Sequence, residues 1–191
     1  MTGGCAAEEV LLEVADRVAR PAASVVSARA RLALLAGRLP APAGPEADLA
    51  AVAWLLRQRL PSPGPVLLPA ALRSGRAHPL AAAAAGVAAA QRAGMAIDGV
   101  GNGDRVWLAH RDGGCTLVVD PGAPLGPFDG GLLGVDLHWR CAHELAELTL
   151  AVVAERAERA SDLDLALRVV RARTTLPVEH GEVVALRARM N

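Results

Sequence analysis

Apolar positions recur at helical spacing through the first third of this chain. Val10, Leu11, Val14 and Val18 fall on one face, with acidic residues on the other. The spacing predicts helix over 7–38 in two pieces, because Arg20-Pro21 interrupts it and the residue before a proline avoids helical angles. The second piece carries Val25, Val26, Leu32 and Leu35. Residues 40–45 form a proline-rich linker. Pro45 then opens a helix at its first turn, where a missing N–H costs nothing. That helix aligns Leu49, Val52, Ala53, Leu56 and Leu60, and the prolines of 61–65 end it.

A short helix or turn over 66–72 leads to Arg73-Ser74-Gly75-Arg76. Residues 79–92 are apolar nearly all round, which predicts a buried helix, with Gly94 as its C-terminal cap. Weak alternation over 95–101 predicts a strand. Two clearer strands, 105–110 and 115–119, flank the turn Arg111-Asp112-Gly113-Gly114. Asp120-Pro121 stops the second of them, since proline cannot donate to a ladder. A glycine- and proline-rich loop covers 121–134. From Asp136 the pattern is helical again, through Leu137, Cys141, Leu145, Leu148 and Val152. A break at 160–162 precedes a second helix with Asp162 as its N-cap and Leu165, Ala166, Val169 and Val170 as its apolar face. Pro177 ends it, and the last dozen residues are expected to form a short strand or helix or to stay loose. The fold class is α+β and mostly helical. One small antiparallel sheet lies in a core over 66–134, between a helical segment over 1–65 and a helical hairpin over 135–191, all as one unit.

Composition narrows the classes. Apolar residues make up 52% of the 191, enough for a globular core, whereas aromatics are 2%, with Phe128 the single phenylalanine. The core must therefore be built from Ala, Leu and Val. Every basic side chain is arginine, which together with the alanine content suggests a GC-rich, actinobacterial genome. Twenty basic residues balance 20 acidic ones without a basic stripe, and aromatics are scarce, so a nucleic-acid partner is not expected. Glu8 and Glu9 stand where a signal peptide would be basic, and the apolar run 79–90 is too short to span a bilayer. Cys5, Cys115 and Cys141 are an odd, widely spaced set and read as reduced thiols. A cytoplasmic protein without membrane partners is the expectation.

One stretch is more specific. It runs Leu72-Arg73-Ser74-Gly75-Arg76, His78-Pro79-Leu80, an alanine-rich helix, Arg92-Ala93-Gly94-Met95, Gly99-Val100-Gly101, Val119-Asp120-Pro121 and Phe128-Asp129-Gly130-Gly131. In that order these motifs resemble the transglutaminase-like domain of the SirB-type regulator family. Residues 138–177, with Ala151, Ala166 and Leu176-Pro177, resemble that family's tetratricopeptide-like helical hairpin. The resemblance implies a transglutaminase-like core and a regulatory or accessory role. It also implies a cysteine at the start of the buried helix, a histidine early in the second strand and an aspartate at the end of the third. This chain departs at two of the three. It offers Ala77, His78, Pro79 and Leu80 at the first and Asn102-Gly103-Asp104-Arg105 at the second, and keeps only Asp120. The loop before Gly130-Gly131 is also longer than the family's.

Each polar candidate has two readings. Asp120 is the remnant of a triad, or a strand-end cap for the Pro-Gly turn; the missing partners favour the cap. His78, beside Arg73 and Arg76, lines an anion or acidic-peptide site at the helix start, or simply caps the helix. Cys115 and His110 face each other across the hairpin turn as a thiolate or metal pair, or Cys115 is a small core hydrophobe. His138 and Cys141 share a helix face with His143 off it; joined to the first pair they would make a zinc site. Trp54, Trp107 and Trp139 anchor layer contacts, or mark a partner surface where exposed. Arg168, Arg171 and Arg173 form a solvated face or dock an acidic partner. No cofactor and no metal are expected.

The expected function is that of a catalytically dead transglutaminase-like protein that binds another protein, a cytosolic enzyme or regulator, for example beside a biosynthetic enzyme. One alternative is a cysteine-dependent hydrolase or acyltransferase using Cys115 or Cys141 with His110, His138 or His143. A further alternative is a carrier of a small anion or ligand at His78 and Arg76.

Overall fold

Proline and glycine punctuate the elements. The computed structural model describes residues 7–19 and 25–176, and within them lie seven α-helices and five strands. The break at Arg20-Pro21, Cys5, Pro177 and the last dozen residues lie outside the described residues. The first two helices are α1 (Ala7–Val18) and α2 (Val25–Ala36). Val26, expected on the buried face of α2, is 79% exposed; Ala28, Leu32 and Leu35 pack instead.

α3 (Pro45–Arg59) starts on its proline, with Gly44 at φ 115 as the residue before it. α4 (Leu68–Ser74) ends at Gly75. α5 (Pro79–Arg92) is the centre of the molecule, and every residue from Leu80 to Ala90 is buried. Its small side chains let α1, α2, α3, α4, α6 and the sheet all approach it. Gly86 marks the closest approach, since a Cβ there would lie 2.9 Å from Leu108 Cδ1. The helix closes with Gly94 N–H donating to the Gln91 carbonyl and Met95 N–H to that of Ala90, while Gly94 sits at φ 79.

The strands are β1 (Ile97–Asn102), β2 (Arg105–His110), β3 (Leu117–Val119), β4 (Phe128–Asp129) and β5 (His138–Arg140). All neighbours are antiparallel, in the order β4-β3-β2-β1-β5. A 3₁₀ turn, Arg111–Gly113, joins β2 to β3, and β3 begins two residues later than the alternation suggests. One expectation fails clearly. Residues 138–140 are strand, not helix, with Val100 opposite Trp139 and Gly101 opposite His138. β1 would otherwise expose an edge of unpaired N–H and C=O groups, and β5 satisfies it.

α6 (Ala142–Arg159) therefore starts only after Cys141. Ser161 turns the chain with φ 54, and Asp162 Oδ1 accepts Leu165 N–H at 2.9 Å to start α7 (Leu163–Arg173). α7 packs on α6 and α1 as an outer helix, so its buried stripe is narrow. Val169 and Ala172 are buried, but Val170, expected with them, is 57% exposed. The arginines of α7 are not a uniform solvated face. Arg168 donates to the Val18 carbonyl at 2.7 Å and Arg173 pairs with Glu147 on α6.

The main core draws on all three sequence segments, from Ala7 on α1 to Ala172 on α7. The sheet's inner face joins it through Ile97, Val106, Leu108 and Val119. Its outer face carries a second, small cluster of Val100, Trp107, Ala109 and Val118, covered by Cys115, Phe128, Leu133 and Leu137. Among the described residues no helix is long and apolar enough to cross a membrane.

Candidate functional site

A cleft of about 770 Å³ opens where four elements meet: the start of α5, the start of β2, the end of β3 and the second half of α6. Local sequence shapes each wall. His78 stays extended, at φ −65 and ψ 150, because a proline follows it. Its Nδ1 accepts the Leu80 N–H at 3.3 Å, so His78 caps the helix. A ring nitrogen that accepts an N–H carries no proton, which leaves the proton of the neutral ring on Nε2. Burial, and then the nearby Arg156 guanidinium, push the His78 pKa below its ordinary value.

β2 contributes Arg105 and Trp107, two residues apart and so on one face. The Arg105 guanidinium lies over the Trp107 ring, 4.9 Å from its centroid, and Trp107 itself is buried. Asp120 ends β3. Its Oδ1 accepts the Gly122 N–H at 2.7 Å, the cap geometry expected of a strand end. Gly122 presses on the start of α5, where a Cβ would come within 3.0 Å of Pro79 Cγ. α6 supplies Leu148, Ala151, Val152, Glu155, Arg156 and Arg159. Glu155 and Arg159 pair with each other one turn apart. Among the described residues neither Arg105 nor Arg156 is paired with a carboxylate.

The cleft thus collects His78, Trp107 and Asp120 from the candidate residues and leaves out Arg73, Arg76 and Trp139. Arg76 does not flank His78 as an anion ligand; its Nε donates to the Pro63 carbonyl at 2.8 Å. Arg73 opens on a neighbouring recess of about 410 Å³, which shares Arg156 with the cleft. Arg73 lies within α4, and Gly75, in the left-handed conformation, turns the chain before Arg76. Of the tryptophans only Trp107 is a buried anchor, while Trp54 and Trp139 are exposed.

The sulfur and imidazole candidates separate. His110 points to the inner face, as β2 alternation requires, and its Nε2 meets Asp48 Oδ2 of α3 at 3.4 Å. Cys115 packs on the outer face against the Trp107 cluster. The sheet lies between them, so the expected pairing across the turn does not exist. Burial pushes the Cys115 thiol up, away from thiolate. His138 is exposed on β5. Cys141 is the N-cap of α6, in a reciprocal capping box. Its backbone N–H donates to Glu144 Oε2 at 2.8 Å, and Glu144 N–H donates to Cys141 Sγ at 3.4 Å. Burial pushes the Glu144 carboxyl up, but hydrogen bonds from Cys141 and Arg140 outweigh it and hold the pKa below the ordinary value. His143 lies apart, beside Val10 and Glu13 of α1. His110, Cys115, His138 and Cys141 do not converge, and among the described residues no group of three or more His, Cys, Asp or Glu is placed to hold a metal.

Sequence reasoning missed Arg105, Arg156 and Arg159. The first was legible, because Arg105 and Trp107 share a strand face. The other two, with Val152 and Glu155, share a helix face, but nothing local says that this face looks at the start of α5. No family model matches the sequence, and no curated protein or solved structure matches it.

Proposed function

We propose that this chain is a non-catalytic transglutaminase-like protein that works by binding another protein, as a regulatory or accessory subunit, with the cleft as its binding seat. One observation carries the reading. The start of α5, the start of β2 and the end of β3 meet in a single cleft, and they bring His78, Arg105 and Asp120 there, with no described cysteine in the lining. Thiol acyl transfer needs a thiolate beside an imidazole base. At the nucleophile's position stands an imidazole whose Nδ1 lone pair is already engaged by Leu80 N–H. At the base's position stands a guanidinium, which cannot take up a proton. Asp120 engages Gly122 rather than a histidine.

A protein partner is supported by an exposed apolar stripe outside the cleft. Leu163, Leu167 and Val170 recur one turn apart along the outer helix α7 and are exposed. The Cys115–His110 form of the cysteine-dependent alternative gains no support, because the two lie on opposite faces of the sheet. The test is co-purification from the native host with intact protein and a Val152→Trp variant that fills the cleft. A stoichiometric partner held by the intact chain and lost by the variant is expected. No stoichiometric partner, or an acyl-transfer activity abolished by Cys115→Ser in a folded protein, overturns the reading.

A further inference from the structure

The start of α5 offers a ligand little. Pro79 has no N–H and that of Leu80 is taken by His78. The uncommitted donors in the cleft are side chains. Among them Arg156 lines two recesses at once. It stands on the crest of α6 between Val152, which faces the cleft of about 770 Å³, and Val153, which faces the recess of about 410 Å³, and it lines both. Arg105 borders the first and Arg73 the second. All three are without a carboxylate partner among the described residues.

The rest of the lining says what kind of anion fits. Asp104, Asp120 and Glu155 also border the cleft and offset its three arginines, Arg105, Arg156 and Arg159, so it is not the net-positive groove that a continuous polyanion such as a phosphate backbone needs. Trp107 is 3% exposed and presents no open stacking surface to a base. Apolar walls lie on both sides of Arg156, with Leu148 and Val152 on one and Val66 and Leu165 on the other. A free inorganic anion would leave those walls wet. The match is an isolated carboxylate with apolar groups on either side, held by a planar guanidinium that can grip both its oxygens.

We propose that the two recesses form one track for an extended segment of a partner protein, in which an acidic residue lies on Arg156 and its apolar neighbours fill the recesses. This rests on the binding-module reading and gives it a ligand chemistry. A bound carboxylate would offset the Arg156 charge, the lesser of the two causes, after burial, that lower the His78 pKa.

The experiment uses the full chain and two fluorescein-labelled heptapeptides followed by anisotropy. One has a single central glutamate among leucines and valines; its twin has glutamine. A ten-nucleotide oligothymidine is the polyanion control. The glutamate peptide is expected to bind at least tenfold more tightly than its twin and than the oligonucleotide. Arg156→Gln should erase the difference between the peptides, and Arg38→Gln, an exposed arginine away from both recesses, should leave it intact. Equal affinities, tighter binding of the oligonucleotide, an unaffected Arg156→Gln protein, or no binding up to millimolar peptide overturns the proposal. Val152→Trp separates the two readings. If both peptides bind alike and both are lost on Val152→Trp, the cleft still binds and only carboxylate selection fails. If the native partner stays bound to Val152→Trp, the binding seat itself is misplaced.

Discussion

Replacing Asp48 with alanine should unsettle the joint between α3 and the sheet far more than the size of the side chain suggests. Asp48 is 1% exposed and His110 is 4% exposed. The carboxylate accepts Ala43 N–H at 2.8 Å through Oδ1 and meets His110 Nε2 at 3.4 Å through Oδ2. His110 Nδ1 in turn accepts Asp112 N–H at 3.2 Å, so the ring cannot turn to find another acceptor without losing that bond. The two donors differ in what happens to them. Ala43 lies in an exposed linker, where water can replace the carboxylate at little cost. The Nε2–H is buried beneath α3, and orphaning such a donor costs about 1–3 kcal/mol, with more where the lost acceptor was charged. We therefore expect Asp48→Ala to lower stability by about 2–4 kcal/mol, which for a chain of this size is roughly 5–15 °C in Tm. Asp48→Asn, which can turn its carbonyl to His110 and leave Ala43 to water, should cost about 1 kcal/mol. The decisive measurement is a double-mutant cycle by urea unfolding, read by far-UV circular dichroism. Asp48→Ala with His110→Leu leaves no buried orphan, so it should cost less than the sum of the single changes by at least about 1 kcal/mol. An Asp48→Ala protein within about 0.5 kcal/mol of the parent, or strict additivity in the cycle, would refute the reasoning.

Three further outcomes follow from the same geometry. His78 is held below 6.5 by burial and by Arg156, so the unfolded chain takes up its proton first. Its contribution to stability is whole above pH 6.5 and falls as pH drops from there through its folded pKa; Arg156→Ala should raise the imidazole pKa seen by NMR and flatten that loss, and an unmoved pKa would contradict the contact. Cys141→Ser keeps the capping box with a better acceptor and should hold or raise stability, whereas Glu144→Ala should lower it by about 1 kcal/mol, both read from thermal unfolding. In a Cys5→Ser background, iodoacetamide at pH 7.5 should label exposed Cys141 before Cys115, whose thiol burial pushes up, and the order should vanish in urea; equal rates in the folded protein would count against the burial of Cys115.

Local chemistry determined most of the helical frame. Proline before Leu80 and Glu46, glycine after Arg92, and aspartate before Leu163 act within a turn of themselves, so the starts of α3, α5 and α7 and the end of α5 could be read directly. The all-apolar run of α5 declared its own burial, and the mixed, mostly helical class followed from it. Pairing across distance could not be read. The stretch that becomes β5 has a helix-compatible pattern, and only the open edge of β1, some 40 residues earlier, makes it a strand. That single reassignment turned Cys141 from a member of a His-Cys helix face into a cap. His110 and Cys115 stand five residues apart in the chain, yet β2 alternation and the turn after it put them on opposite faces of the sheet. The cleft shows the same division. His78 and Asp120 stood out by position, whereas Arg156 entered the site only because α6 docks on the start of α5. Turns and caps are decided by atoms within four residues. Which face of a finished element meets which neighbour is decided by burial summed over the whole chain, and no window of sequence contains it.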